Sequence, residues 1–370
     1  MKYLAVLGRQ AEISLAELEA LFDNVKQVAP ELAVFESDFV DINRLGGSLK
    51  VAKKLELAPL EFLQNLPEGK LTLGLSDYSK KATRELANQE ALKLKKILVR
   101  HGRSVRVVEN KDACLSTATS LHNGLSGRNP RKVELIKFNN EWFKVVGVQD
   151  IDAYARRDQK RPARDAKVGM LPPKLAQILI NLCGPLPGGA RVLDPFCGTG
   201  VVLQEALLLG YSAYGTDIDA RMVEYSQKNL DWLCREIESE RVEKEHISVE
   251  KGDATNFKWQ GLIDAVACEG YLGKPMSQVP VEIKLKEQKQ ECVAIILGFL
   301  KNLSGQIESN TPVVVAAPAW LRENGRYERL KIVDEIEKLG YNVSNKTREG
   351  LIYHRDKQIV ARDILILRKK

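Results

Sequence analysis

The stretch Arg191-Val192-Leu193-Asp194-Pro195-Phe196-Cys197-Gly198-Thr199-Gly200 reads as a strand running into a glycine loop, and the apolar residues 201–209 after it read as a helix. Glycines at 198 and 200 permit a tight turn and let backbone amides approach a ligand at the helix N-terminus. The pattern points to a nucleoside-type cofactor at the first βα crevice of an α/β sheet. A dinucleotide fingerprint would carry a third glycine where Leu203 stands, which turns the reading away from nicotinamide and flavin cofactors.

Around this stretch, apolar segments at 191–193, 212–216, 247–249, 264–267, 312–316, 341–344 and 364–367 alternate with helical stretches. They read as the strands of an open α/β sheet. The last two are joined by residues 348–361 without a helix, so the final strand is expected to run antiparallel to the rest. This domain is taken as residues 168–370, and residues 150–167, rich in arginine and broken by Pro162, as a basic linker before it.

Two smaller α+β units are expected upstream. In residues 1–62, apolar runs at 3–7 and 32–35 bracket an amphipathic stretch at 14–22, with Ser14 and Glu17 at capping-box spacing. A strand near 39–42 and a helix over about 48–57 follow, ended by Pro59 and Pro67 acting as breakers. Residues 63–149 read as a strand (71–75), a basic helix (81–100), a strand (105–108), a short helix (115–124) and a hairpin (133–138 and 142–148) turning at Asn139-Asn140-Glu141.

Composition is that of an ordinary globular protein, with 44% hydrophobic and 28% charged residues. The longest apolar run, 292–300, is half of the roughly 18 residues a membrane helix needs. The first residues lack the features of a signal peptide, so a cytoplasmic location is expected. Cys114, Cys183, Cys197, Cys234, Cys268 and Cys292 form no Cys-x-x-Cys pair and stand apart from the four histidines, so neither a metal site nor a disulfide framework is expected.

The net charge of +7 is uneven: residues 61–167 hold 22 Lys and Arg against 13 Asp and Glu, whereas residues 168–370 are neutral. An excess confined to one segment suggests a polyanion partner, because counterion release supplies affinity without sequence reading. The candidates are Lys93, Lys95, Lys96, Arg100, Arg128, Arg131, Lys132, Arg156, Arg157 and Arg161. The alternatives are a solvated helix face for the first four and ion pairs with Asp152, Asp158 and Asp165 for the linker arginines.

The glycine loop resembles motif I of the Rossmann-like S-adenosylmethionine methyltransferases, of the Asp-Pro-x-x-Gly-Thr-Gly kind. Two further motifs follow in order, Gly215-Thr216-Asp217-Ile218-Asp219 and Lys251-Gly252-Asp253-Ala254, each at a strand end. The resemblance implies S-adenosylmethionine as cofactor, held by the loop residues Asp194, Gly198 and Gly200. Asp217 would lie at the ribose, Asp253 and Ala254 at the adenine, and Ile218, next to Asp217, would also belong to the cofactor site.

Arg161-Pro162-Ala163-Arg164-Asp165, Gly169-Met170-Leu171-Pro172-Pro173-Lys174-Leu175-Ala176 and the closing Tyr353-His354-Arg355 to Arg362-Asp363 are similar to the archaeal and eukaryotic family that makes N2-methylguanosine at tRNA position 10. The resemblance implies a ferredoxin-like unit and a THUMP-like RNA-binding unit ahead of a Rossmann-like sheet of seven strands with the last antiparallel, an α/β fold overall. It also implies a tRNA partner, and it sets the methionine end of the cofactor near Leu171 and Pro172.

At the fourth strand the chain departs from that family. Asp-Pro-Pro-Tyr, whose carboxylate and backbone carbonyl accept the protons of an exocyclic amine and whose ring stacks on the base, is replaced by Glu269-Gly270-Tyr271-Leu272. Three readings stay open. Glu269, the Gly270 carbonyl and Tyr271 do the same work from a longer arm; or the altered loop admits another atom or base of RNA or DNA; or the protein binds cofactor and RNA without turnover.

Overall fold

A computed structural model of the chain describes residues 1–165, 170–236, 246–276, 278–344, 351–356 and 358–370. Residues 166–167 of the expected linker, Gly169 of the Gly169-Met170-Leu171 motif and residues 348–350 lie outside the described residues. Two compact units are present, Met1–Ala153 and Tyr154–Lys370.

The first unit contains β1 (Lys2–Leu7), α1 (Ala11–Leu21), β2 (Asp23–Ala29), β3 (Leu32–Glu36), β4 (Ser48–Lys54), α2 (Pro59–Gln64), β5 (Leu71–Asp77), α3 (Arg84–Arg100), β6 (Val105–Val107), α4 (Thr117–His122), β7 (Lys132–Phe138) and β8 (Glu141–Val148). All eight strands belong to one sheet, in the order β2-β3-β1-β4-β8-β7-β5-β6. Residues 1–62 and 63–149 therefore share a sheet, joined where β4 pairs antiparallel with β8.

Several local expectations give way here to tertiary partners. The helix expected over 48–57 is the strand β4: it lies between β1 and β8, and ladder bonds on both sides outweigh the helix propensity of its Leu, Lys and Ala residues. No strand forms at 39–42, where Phe39 is exposed and a short 3-10 turn, Ile42–Arg44, follows. The edge strand β2 went unforeseen. The helix α1 starts before Ser14, which donates to the Gln10 carbonyl from inside it, while Glu17 accepts from the amides of Gly46 and Gly47 at 2.9 and 2.8 Å. That pair is not a capping box. Pro59, read as a breaker, occupies the first turn of α2, where its missing amide costs nothing.

Lys50 of β4 is buried beside Glu134 of β7, its Nζ donating to Oε1 at 2.5 Å and to the Leu115 carbonyl at 2.7 Å. The Ser76 and Ser120 hydroxyls donate to the same carboxylate at 2.7 and 2.6 Å. Lys50→Met would leave that carboxylate without its counter-charge, with an expected loss of about 3–5 kcal/mol in urea unfolding. Lys50→Met combined with Glu134→Gln should recover part of it, and a single variant as stable as the parent would show that the pair does not hold this sheet.

The helix α5 (Ile151–Gln159) runs across the division between the units. The second unit continues with α6 (Pro173–Asn181), β9 (Arg191–Asp194), α7 (Val201–Leu208), β10 (Ser212–Asp217), α8 (Ala220–Glu236), β11 (Ile247–Lys251), β12 (Ala265–Glu269), α9 (Glu282–Ser304), β13 (Pro312–Leu321), β14 (Tyr327–Arg329), α10 (Val333–Lys338), β15 (Tyr341–Val343), β16 (Ile352–Tyr353) and β17 (Val360–Lys369). The main path of the sheet is β11-β10-β9-β12-β13-β17-β15, with β14 on β13 and β16 on β17. All seven expected strands are present, and β17 runs antiparallel to both its neighbours, as expected. Strands β12 and β13 are buried on both faces, which explains their unbroken apolar sequence. The order turns in opposite directions from β9, to β10 on one side and β12 on the other, and such a switch opens a crevice beyond the carboxyl ends of the strands.

Candidate active site

At that crevice a cavity of about 960 Å³ is bounded by the ends of β9, β10 and β12, the turn after β11 and one face of α9. Among the expected cofactor and acceptor residues, Leu171, Asp194, Gly198, Asp217, Ile218, Asp253, Ala254, Glu269, Gly270 and Tyr271 line it. Gly200 and Pro172 act one step behind. Gly200 caps α7 in the left-handed region at φ +80°, and a Cβ there would come within 2.9 Å of the Ser226 hydroxyl. Pro172 is the residue at which α6 begins.

Gly198, at φ +51°, is different: a Cβ there would meet nothing closer than 3.9 Å, so its missing side chain leaves the floor of the cavity open. Its carbonyl accepts from Ser226 at 2.8 Å, and its amide donates to the Asp217 carboxylate at 2.9 Å. The second Asp217 oxygen accepts from the Asp219 amide at 2.9 Å. Burial raises the Asp217 pKa, opposed by these two amides. Ile218, next to it, is 66% exposed and lines the cavity, an apolar surface with no protein covering it. Asp253 accepts from the amide and hydroxyl of Thr255 at 2.9 and 2.8 Å, closing the turn after β11. Ala254 is buried beneath that turn, its carbonyl taking Asn302 of α9 at 3.0 Å.

At the fourth strand end, Glu269 is paired with Arg362 of β17, whose Nε donates to Oε1 at 2.6 Å. Gly270 donates its amide to the Ala316 carbonyl at 3.0 Å. The Tyr271 hydroxyl donates to Glu291 of α9 at 3.2 Å, and burial together with that carboxylate pushes the phenol up to about 12. Arg362 and Glu291 were both missed in the sequence. Arg362 belongs to a stretch noted only for its resemblance, and Glu291 sits in an ordinary charged helix turn, so no local signal marked either as part of the site.

The cavity is acidic. Lys274 is the one cation among its described lining residues, against Asp165, Asp194, Asp217, Asp219, Asp253, Glu269 and Glu291. Such a lining suits a ligand carrying positive charge and N–H donors. Among the described residues no cluster of His, Cys, Asp and Glu could hold a metal ion, and no helix is long and apolar enough to cross a membrane.

The expected RNA-facing residues separate into two sets. Lys93, Lys96 and Arg100 are exposed along α3, spaced to share a face, with Lys95 turned partly inward; Arg128, Arg131, Lys132 and Arg156 are exposed as well. Arg157 and Arg161 are buried and leave the list of candidate phosphate contacts. Arg157 pairs with Glu205 of α7 at 2.7 Å, and Arg161, 2% exposed, lies near the same carboxylate. The arginine-rich sequence read as a surface; packing against α7 decided otherwise. Asp165 pairs with Arg221 of α8 at 3.1 Å.

Asp194 is buried at the end of β9, where its carboxylate accepts from the Phe196 amide at 3.1 Å. Burial, then the Asp217 and Glu269 charges, raise its pKa well above the ordinary value. A carboxyl that holds its proton more tightly folded than unfolded contributes stability only while protonated, so that stability is lost as pH rises from about 4 through the folded value. Asp194→Asn keeps the acceptor oxygen and removes the charge. Its melting temperature should exceed the parent's by a margin that widens over that range and then levels; a margin independent of pH would show that the carboxylate is not strained.

Residues 160–291 match the model of the UPF0020 family, described as an RMKL-like methyltransferase domain. A tRNA (guanine(10)-N2)-dimethyltransferase of Methanothermobacter thermautotrophicus is 30% identical over 153 residues, 41% of this chain and 40% of that protein. One of Pyrococcus abyssi is 39% identical over 88 residues, 24% of this chain and 23% of that protein. The chain thus aligns with less than half the length of these curated relatives. TrmN from Thermus thermophilus, a solved structure, is 17% identical with a TM-score of 0.48 and 100% coverage of both chains, too distant to carry the fold, which rests on the strand order. The stretch that forms the floor of the cavity is the stretch that matches, so the second unit carries a methyltransferase-type domain.

Proposed function

We propose that the protein is an S-adenosylmethionine-dependent tRNA methyltransferase acting on the exocyclic 2-amino group of a guanosine. The observation that carries this reading is the meeting, in one acidic cavity, of a glycine loop, two strand-end aspartates and a strand-end glutamate. When bound, S-adenosylmethionine supplies an electrophilic methyl group on a sulfonium. Asp217 would accept the ribose hydroxyls, Asp253 and the Ala254 amide would hold the adenine, and Ile218 would supply an apolar surface beside them. Leu171 borders the methionine end. The open floor at Gly198 and the exposed Ile218 suit a nucleoside lying across the loop.

On the acceptor side the difficulty is the amine, whose lone pair is delocalised into the base. As it attacks, positive character develops on nitrogen and its protons need acceptors. Glu269 supplies a negative oxygen, the Gly270 carbonyl a second acceptor, and Tyr271 a ring against a base swung out of its stack. The relatives named as tRNA (guanine(10)-N2)-dimethyltransferases support guanosine as the target.

The direct experiment incubates an unmodified tRNA transcript with the protein and isotopically labelled S-adenosylmethionine, followed by nucleoside mass spectrometry. Labelled N2-methylguanosine or its dimethyl form is expected. Glu269→Gln should slow single-turnover transfer by about two to four orders of magnitude while cofactor binding persists. Label on another nucleoside would move the acceptor to a different atom or base, and bound cofactor with no label in RNA would favour a binding protein without turnover.

We further propose that Met1–Ala153, in its 63–149 part a THUMP-like module, holds the tRNA through the exposed face of α3. Replacing Lys93, Lys96 and Arg100 together with glutamine should weaken tRNA binding at all sequences and flatten the plot of log affinity against log salt by roughly 3. An unchanged slope would remove this face from the RNA contact.

A further inference from the structure

We infer that Arg362 is the positioning residue of the acceptor-site carboxylate, an inference that rests on reading Glu269 as that carboxylate. Glu269 closes β12, next in the sheet is β13, and β17 lies beyond it, with Glu269 opposite Ala316 and Arg362 opposite Pro318. Because β17 runs antiparallel, its first residues, not its last, reach the edge of the sheet where the parallel strands end. Arg362 sits there, extends across β13, and meets Glu269 Oε1 through Nε at 2.6 Å. Its Nη1 donates to the Gln358 side chain at 3.3 Å.

The burial of the two partners is unequal: the Arg362 side chain is 5% exposed and that of Glu269 17%. Arg362 lies behind the carboxylate and outside the cavity lining, and Glu269 itself lines the cavity. The arrangement ties down one carboxylate oxygen from the rear and leaves the other for an N–H donor in front. Glutamate needs such a tie more than aspartate does. It carries one more rotatable bond, and the loop after it holds Gly270 where a rigid proline stands in the resembling family. A guanidinium held by a second hydrogen bond is a suitable clamp, since its planar fork is pre-organised. The cation also offsets the crowding of Glu269 with Asp194, which feels its charge.

The test compares Arg362→Gln, Arg362→Lys and Glu269→Gln with the parent, using single-turnover methylation of an unmodified tRNA transcript, cofactor binding by calorimetry and thermal melting. Arg362→Gln is expected to slow transfer by about ten- to a hundredfold through misplacement of the carboxylate, with cofactor affinity within about twofold, and guanidinium ion at millimolar concentration should restore part of the rate. Should the glutamine variant fail to fold, Arg362→Lys keeps the buried charge balanced but lacks the Nε–H donor, and the same slowing is expected of it. In protein labelled with 15N-arginine, the protected Arg362 Nε–H resonance, identified by its loss in Arg362→Lys, should shift in Glu269→Gln whatever the enzyme does with RNA. A wild-type rate in the folded Arg362 variants, with Glu269→Gln slow, overturns the positioning role and leaves the function standing. A wild-type rate in Glu269→Gln overturns the reading of Glu269 and this inference with it. Slowing of Arg362→Gln in proportion to lost cofactor affinity, or without rescue by guanidinium, marks a structural pair and overturns the inference alone.

Discussion

The hydrogen bond from the Gly198 amide to the Asp217 carboxylate joins the ends of two neighbouring strands, and the organisation of the site follows from it. For the amide to point there, the chain leaving β9 must pass through a left-handed turn at Gly198 and again at Gly200, where α7 begins. The Ser226 hydroxyl from α8 secures the other side of the turn by binding the Gly198 carbonyl. Three elements thus hold one loop, with Asp217 aligned at its mouth and Ile218 exposed beside it. The same constraint disfavours side chains in the loop: one at Gly200 would collide with Ser226, and one at Gly198 would stand in the cavity.

The site is electrostatically expensive. Asp194 and Asp217 both have raised pKa values because burial takes solvation from charge, and neighbouring carboxylates add to it, Asp217 and Glu269 at Asp194 and Asp219 at Asp217. A cationic, hydrogen-bond-donating ligand would relieve this repulsion. Glu269 has its counter-charge, Arg362, built into the fold, and the pair lies at the point where the fourth strand departs from the pattern of the resembling family.

In the first unit a single buried ion pair does comparable structural work. Lys50 and Glu134 lie on β4 and β7, separated by β8, and every polar contact they make reaches into a different segment: the loop at Leu115, β5 through Ser76, and α4 through Ser120. Removing either charge strands the other. The pair thus spans, across β8, the junction at which two stretches that look like separate α+β units in sequence form a single sheet.

The sequence by itself determined the parts of this protein written in local code. Turn chemistry located the glycine loop, alternation of apolar runs located the seven strands on the main path of the second sheet but not β14 or β16, and the absence of a helix before residues 364–367 announced the antiparallel strand. Acidic residues at successive strand ends marked the cavity wall because a strand's end is itself a local event. Tertiary structure decided whatever depended on a distant partner. β4 is a strand because β1 and β8 flank it, Glu17 caps a loop some thirty residues away instead of its own helix, and Arg157 is buried because Glu205 on α7 receives it. Arg362 reaches Glu269 over a separation of 93 residues, through the register of an intervening strand. Hydrogen-bonding and charge requirements are satisfied in space, and a chain of residue types states each requirement without naming the partner that meets it.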